Sequence, residues 1–405
     1  NAGILKKIGG NMKKILPVLI ILLAVFFLFG QANPGDTNGI TPNEIKVGSF
    51  QALSGPLASM GISVKKGMDS YFNWINSNGG IYGRKINLIV SDDAFNPSNT
   101  VIEVKKLVES DKVFALMCGL GAPGNLAIMD YVESQKVPYI YQAAGAGSLT
   151  IPPKRYIFGV QPNYTTEGAI AVKYLVEQKK AKRIALVYRN ADDGKEEYAS
   201  VKKALAERKM PLVAEIPVEA SATDFSTQIV KLMSSNVDSI IVMLFIPQSS
   251  NFVKQAKQLG LTSQNYLVSY ANADPTFAAI AGPAAVGVES LAWVSVDFAD
   301  PKAHFIEVYQ ASFQSEIPNA YAVAGMIAAE IFTEGLKRAG KDLTREKLIA
   351  AMETFNGWVG KISPQITYGP ISVKKDQARL GVVTMYVLKF KPDGTMEKVS
   401  DWIKL

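Results

Sequence analysis

From Glu44 onward the sequence alternates short β-branched runs with longer stretches whose apolar residues recur three and four positions apart, and this alternation dictates a parallel sheet. "EIKVGSF", "KINLIVSD", "KVFALMC" and "VPYIYQA" read as buried strands. Between them Met68, Tyr71, Phe72 and Ile75, then Val101, Val104, Leu107 and Val108, keep helical spacing. After "FGVQPNY" the pattern restarts with "RIALVYR", "PLVAEIPV", "DSIIVMLF" and "NYLVSYA", separated by helical stretches over 195–209 and 224–234. Two more helical periods follow over 302–313 and 320–339, and the strand-like runs "ITYGPISV" and "GVVTMYVLKF" close the chain. Two similar α/β lobes are therefore expected, each a doubly wound parallel sheet. Ser54, in "SGPLASMG", is of the right type to cap the first helix.

The first 32 residues do not belong to this pattern. Met12-Lys13-Lys14 precedes the apolar run "ILPVLIILLAVFFLFG", after which small residues lead into the polar "NPGDTNG". A basic start, a short apolar stretch and small Gly30 and Ala32 read as a signal peptide cleaved near Ala32; the other reading is an uncleaved anchor. In both cases the remainder lies outside the cytoplasm, periplasmic or extracellular. Residues 1–11 stand before a plausible initiator and are set aside.

Composition closes off several chemistries. The formal charge is +7, but Lys6, Lys7, Lys13 and Lys14 all precede Asn33, so the excess of basic residues beyond that point is only three. No Lys/Arg stripe remains to recommend a nucleic-acid partner. Cys118 is the sole cysteine and His304 the sole histidine, which leaves no disulfide, no His/Cys metal cluster and no nucleophile–base pair. Gly119, Gly121 and Gly124 have the G-x-G-x-x-G spacing of a dinucleotide loop, yet no acidic side chain ends the next strand, "VPYIYQAAGAG", to hold a ribose. No cofactor is expected. Asp92 and Asp93 are adjacent on a strand and point to opposite faces, so they read as loop and capping acids instead of a catalytic pair.

Five segments, "GSFQALSGPLASMG", "NSNGGIYGRKINLIVSDDAFNP", "ATDFSTQIVKL", "PNAYAVAGMIAAEIF" and "ITYGPISVKKDQARLG", resemble, in this order, segments of the leucine/isoleucine/valine-binding family of periplasmic solute receptors. The likeness runs from about Glu44 to the C-terminus. It implies a type I periplasmic binding protein: two doubly wound lobes, three hinge crossovers and a ligand cleft between them. The corresponding limits are 44–161 with 297–368 for the first lobe and 162–296 with 369–405 for the second.

The resemblance also implies ligand positions. Gly119 stands where a carboxylate-binding serine is common, with Leu120 and Gly121 in the same loop. Ala143, Ala144 and Gly145 match the next strand-end loop, where a threonine often holds ligand, so hydroxyls are missing from both loops. Backbone N–H groups at Gly119 and Gly121, ahead of a helix, could still hold a carboxylate. Met60 matches the cleft mouth and Tyr321 an aromatic lining position. From the second lobe, Asp193 falls near a common tyrosine, Phe245 near another aromatic, and Tyr270 where an acid often pairs with the ligand ammonium. Asp193 is the matched position able to supply that charge. The plainer readings are core packing for Phe245 and Tyr321, a solvated turn for Asp193 in "NADDGKEE", and a surface or cap role for His304. Phe95 stands where some relatives have a cysteine that pairs with the equivalent of Cys118, so Cys118 is expected free and buried.

The resemblance thus implies a monomeric, non-catalytic receptor that hands a branched-chain or other apolar amino acid to an ABC permease. A receptor for a small aromatic or aliphatic carboxylate is the alternative, and a secreted α/β enzyme is a more distant one.

Overall fold

A computed structural model describes residues 37–294 and 303–405. The expected signal segment and the link 295–302 lie outside the described residues. The elements below belong to the unit Gly39–Leu405.

The first half of the chain builds one sheet. Its strands are β1 (Glu44–Gln51), β2 (Lys85–Asp92), β3 (Ala115–Met117), β4 (Tyr139–Ile140) and β5 (Ile157–Phe158), hydrogen-bonded in the order β2-β1-β3-β4-β5 with every pairing parallel. Parallel strands need cover on both faces, and Ile45, Val47 and Phe50 of β1 are fully buried. The connecting helices are α1 (Ala58–Ser77), α2 (Pro97–Lys105), which ends in a π-helical turn at Lys106–Ser110, and α3 (Ala122–Ser134).

The second series builds another sheet. It contains β6 (Ile184–Arg189), β7 (Leu212–Val218), β8 (Ser239–Met243), β9 (Asn265–Val268), β10 (Glu289–Ala292), β11 (Thr384–Phe390) and β12 (Met396–Lys398), in the order β7-β6-β8-β9-β10-β11-β12. From β7 to β10 the pairings are parallel; β11 and β12 form an antiparallel edge, and β13 (Ile403–Lys404) also pairs with β11. Around this sheet and the first lie α4 (Tyr164–Glu177), α5 (Asp192–Glu207), α6 (Ser226–Ser234), α7 (Ile246–Gln258), α8 (Pro275–Ala281), α9 (His304–Gln310), α10 (Ala320–Ala339), α11 (Arg345–Met352) and α12 (Ile371–Lys374).

Helix α10, although late in the chain, packs on α1. A Cβ on Gly67 would come 1.9 Å from the Ala322 carbonyl oxygen, and one on Gly325 2.4 Å from that of Val64, so two glycines set this close crossing. The chain thus returns to the first sheet before finishing in the second. Two of the linking segments run side by side: Gly159 N–H donates to Arg379 O at 2.8 Å, Val382 N–H to Val160 O at 2.8 Å, and the Tyr368 hydroxyl to Gly159 O at 2.6 Å. Arg379, fully buried, ties them further through Glu353 at 2.6 Å and the carbonyls of Lys154, Arg155 and Gly369.

Several sequence expectations need correction. "ITYGPISV" is not a strand: Ile366 and Thr367 make only isolated bridges, and Pro370, with no N–H to give a ladder, precedes the short α12. Ser54 does not cap α1, which begins at Ala58 after Leu57. The helix expected over 195–209 starts earlier, at Asp192. No helix among the described residues is long and apolar enough to cross a membrane.

Candidate functional site

Loops at the carboxyl ends of strands in both sheets converge on one cavity, where open α/β sheets place their ligands. From the first sheet, Phe95 follows β2, Leu120 and Gly121 follow β3, and Tyr141, Ala143 and Ala144 follow β4; Met60 and Val64 of α1 and Tyr321 of α10 complete that wall. Opposite stand Arg189 at the end of β6, Asp193 and Glu197 on α5, Phe245 after β8 and Tyr270 after β9. The space between spans about 910 Å³, solvent at its mouth included.

Nine of the expected positions therefore share this lining: Met60, Leu120, Gly121, Ala143, Ala144, Asp193, Phe245, Tyr270 and Tyr321. Gly119 and Gly145 stand behind it. A Cβ on Gly119 would meet the Phe50 ring at 2.0 Å and the Tyr139 oxygen at 2.2 Å, so that face looks into the core. Gly145 backs onto Tyr164 and the Tyr270 hydroxyl, and its carbonyl accepts Tyr164 N–H at 2.6 Å.

Of the two glycine amides expected to hold a carboxylate, that of Gly121 bonds the protein. Leu120 N–H is directed at Phe50 O at 3.4 Å and Gly121 N–H at Ala143 O at 3.3 Å, so these amides bond the protein instead of facing a ligand. Asn125, fully buried on α3, clamps the loop from below: its Nδ2 reaches the carbonyls of Gly119 at 2.7 Å, Gly121 at 2.8 Å and Gln142 at 2.6 Å, and its Oδ1 accepts the Tyr139 hydroxyl. Gly121 has φ +98°, and the Phe95 ring lies where its Cβ would be, at 2.2 Å. The ring that replaces a disulfide position thus covers the loop. Cys118 is free and buried, and burial pushes its thiol pKa up.

On the other wall the charges are arranged in a helical row. Arg189, Asp193 and Glu197 are four residues apart and run from the end of β6 along one face of α5. Arg189 Nη1 lies 2.9 Å from Asp193 Oδ2, with both side chains largely buried, and the guanidinium stacks 4.4 Å from the centre of the Phe245 ring. Asp193 is therefore the paired first-turn acid of α5, not a solvated turn, and its charge is already matched. Glu197 lines the cavity with no hydrogen bond to its carboxylate among the described residues.

Tyrosine hydroxyls stitch the two walls together. Tyr141 donates to Gln161 Oε1 at 2.7 Å, Gln161 Nε2 donates to the Tyr270 oxygen at 2.6 Å, and Tyr321 donates to Ala271 O at 2.8 Å. Trp293 meets the Tyr141 ring edge-on at 6.1 Å. Burial raises the pKa of Tyr141, Tyr270 and Tyr321, so all three stay neutral donors. Arg189, Glu197, Phe95, Tyr141, Gln161 and Trp293 were not among the expected ligand positions. The four-residue spacing of Arg189, Asp193 and Glu197 was the available signal. Asp92 and Asp93 are turn acceptors, Asp92 taking Leu53 and Ala94 N–H and Asp93 taking Phe95 N–H and the Thr100 hydroxyl, while the cap of α2 is Asn96 and not an aspartate. His304 opens α9 and contacts Glu307 at 3.2 Å. No group of three or more metal-ligating side chains occurs among the described residues.

A parallel sheet and a mostly parallel one whose strand ends face one shared cavity define a two-lobed α/β binding fold. The periplasmic binding protein family pattern matches residues 44–395, and the chain belongs to that family. It is 29% identical to the Leu/Ile/Val-binding protein of Citrobacter freundii over 60% of this chain and 66% of that protein, so it spans about two thirds of that relative's length. It is 25% identical to a leucine-, isoleucine-, valine-, threonine- and alanine-binding protein of Pseudomonas aeruginosa, over 87% of this chain and 92% of that one. Among solved structures, a branched-chain amino acid ABC transporter protein of Thermus thermophilus with bound valine superposes with a TM-score of 0.80 at 20% identity, covering 90% of this chain and 98% of the other.

Proposed function

We propose that this protein is the extracytoplasmic receptor of an ABC importer and clamps a branched-chain or other apolar amino acid between two lobes, 44–161 with 297–368 and 162–296 with 369–405. The observation that carries the reading is the single cavity at the strand ends of both sheets, walled by aliphatic and aromatic side chains with charged groups confined to one side. Relatives named for leucine, isoleucine and valine binding support it. The protein acts as a monomer, outside the cytoplasm, and turns nothing over. Ligand that touches both lobes favours their closed arrangement, and a membrane permease reads that arrangement. Gly121 and the predicted apolar and aromatic positions act as wall, while the charged contacts come from α5, Asp193 included, and the end of β6.

Thermal unfolding with and without L-leucine, L-isoleucine and L-valine tests this. A ligand at a hundred times its Kd adds about 2.7 kcal/mol, enough for a rise of several degrees. A second reading, a receptor for a small aromatic or aliphatic carboxylate, is favoured by one observation, the Arg189 guanidinium in the cavity. A rise with benzoate or 4-methylpentanoate and none with any amino acid would establish the second reading over the first.

A further inference from the structure

Glu197 is only 6% exposed, lines the cavity, and accepts no hydrogen bond from any described residue. Behind it stands Glu167 of α4, fully buried: its Oε1 accepts Tyr270 N–H at 2.8 Å, while its Oε2 has no hydrogen-bond partner among the described residues. The remaining ionisable groups that act on Glu197 are Asp193, Arg189, Glu196, Tyr164 and Tyr270. Each is already engaged or neutral. Arg189 is held 2.9 Å from Asp193, Glu196 accepts Gly147 N–H at 2.8 Å, Tyr164 and Tyr270 are buried phenols of raised pKa, and no lysine lines the cavity.

A buried carboxylate without donors is costly, and proteins meet that cost by protonation or by a partner of opposite charge. Burial raises the pKa of Glu197 well above the ordinary carboxylate range, with Glu167 and Asp193 adding to the rise, and pushes Glu167 to about 7. The wall built from the first sheet, which includes Tyr141, Phe95, Leu120 and Ala143, carries no cation among the described residues. Among the described residues that line the cavity, the one cation, Arg189, is already paired with Asp193, so an ionised Glu197 has none of its own.

We propose that Glu197 anchors the ammonium group of the ligand, with Glu167 behind it deepening the negative potential. The assignment deepens the amino-acid reading and rests on it, since it gives the ligand its amine. It moves that contact away from Asp193, whose charge Arg189 already matches. It also extends the ligand class: an amine with an apolar body and no carboxylate meets the same anchor, whereas a carboxylate without an amine does not.

The test measures binding of L-leucine, 3-methylbutylamine and 4-methylpentanoate by isothermal titration, on the wild type and on Glu197→Gln. The expected result is a loss of about tenfold or more for leucine and the amine, the range for a hydrogen bond to a charged group, with 4-methylpentanoate unchanged or tighter. If Glu197→Gln does not fold, Glu197→Asp, which withdraws the charge by one methylene, must weaken the same two probes and spare the third. Leucine and amine affinities that stay at wild-type values in the variant overturn the assignment and leave the amino-acid reading standing. A wild type that ignores leucine but binds the amine through Glu197 upholds the assignment and removes that reading. A wild type that takes only 4-methylpentanoate removes both.

Discussion

The Glu196 carboxylate accepts the Gly147 backbone N–H through both oxygens, at 2.8 and 2.9 Å, and so joins α5 of the second sheet's lobe to the loop between β4 and β5 of the first. Thr165 adds its hydroxyl at 3.2 Å. A charge-assisted bond across the cleft between protein groups alone weights the two-lobed equilibrium toward closure. Glu196→Ala is expected to open the ligand-free protein, seen as a larger radius of gyration in small-angle scattering, and to weaken any ligand by roughly tenfold. An unchanged radius of gyration would mean that other contacts, such as Tyr321 to Ala271 O, hold the walls together.

Restoring the serine that the resemblance puts at Gly119 tests whether the glycine loop can be turned back into a hydroxyl site. The Phe50 ring 2.0 Å and the Tyr139 oxygen 2.2 Å from the added Cβ leave no room for it. Gly119→Ser should destabilise the fold by about 1–3 kcal/mol, the usual cost of overpacking a core, and should not improve carboxylate binding. Denaturant unfolding and titration with 4-methylpentanoate check the two halves separately. Tighter carboxylate binding by a variant of wild-type stability would show that the loop faces the ligand after all.

Most of the fold was legible because each strand is a β-branched run closed by turn formers, as in Ile184–Arg189 before Asn190, and because apolar positions three and four apart mark each helix. "ITYGPISV" misled because its alternation is strand-like while Pro370 cannot serve a ladder. Along the site, strand ends told which loops meet but not which atoms face inward. Gly119 and Gly121 look equivalent in sequence, yet one abuts Phe50 and the other Phe95. "NADDGKEE" read as a solvated turn because Asp-Asp-Gly is turn-rich, although acids in a first helical turn meet the positive end of the helix dipole. The pairing with Arg189 depends on how α5 leaves β6, which spacing hints at and only the folded chain fixes.

Asp193 is the partner that keeps the Arg189 guanidinium neutralised in the cavity. Asp193→Asn leaves that guanidinium stacked on Phe245 with its charge unmatched. Binding of 4-methylpentanoate should then tighten, by roughly tenfold if Arg189 takes the anion as a charge-assisted pair, while leucine should change less than it does with Glu197→Gln. Titration of both ligands decides. A large loss of leucine alone would return the ammonium contact to Asp193.

Glu167 gives the apo protein a pH dependence whose sign follows from its surroundings. Burial raises its pKa to about 7, against the Tyr270 N–H that its Oε1 accepts and the Ser269 side chain, and Glu197, which lines the cavity, is raised as well. In the unfolded chain a glutamate titrates near about 4.3, so between that value and about 7 the folded state holds a proton that the unfolded state has lost. Folded stability is therefore greatest below the unfolded pKa, falls as the pH rises through this window, and levels off above it. A shift of this size corresponds to at most about 4 kcal/mol. Glu167→Gln keeps an oxygen for Tyr270 and removes the charge. Its ligand-free melting temperature should change less between pH 5 and pH 8 than that of the wild type and be the higher of the two at pH 8. Parallel profiles for the two proteins would show that Glu167 does not change its protonation between pH 5 and pH 8.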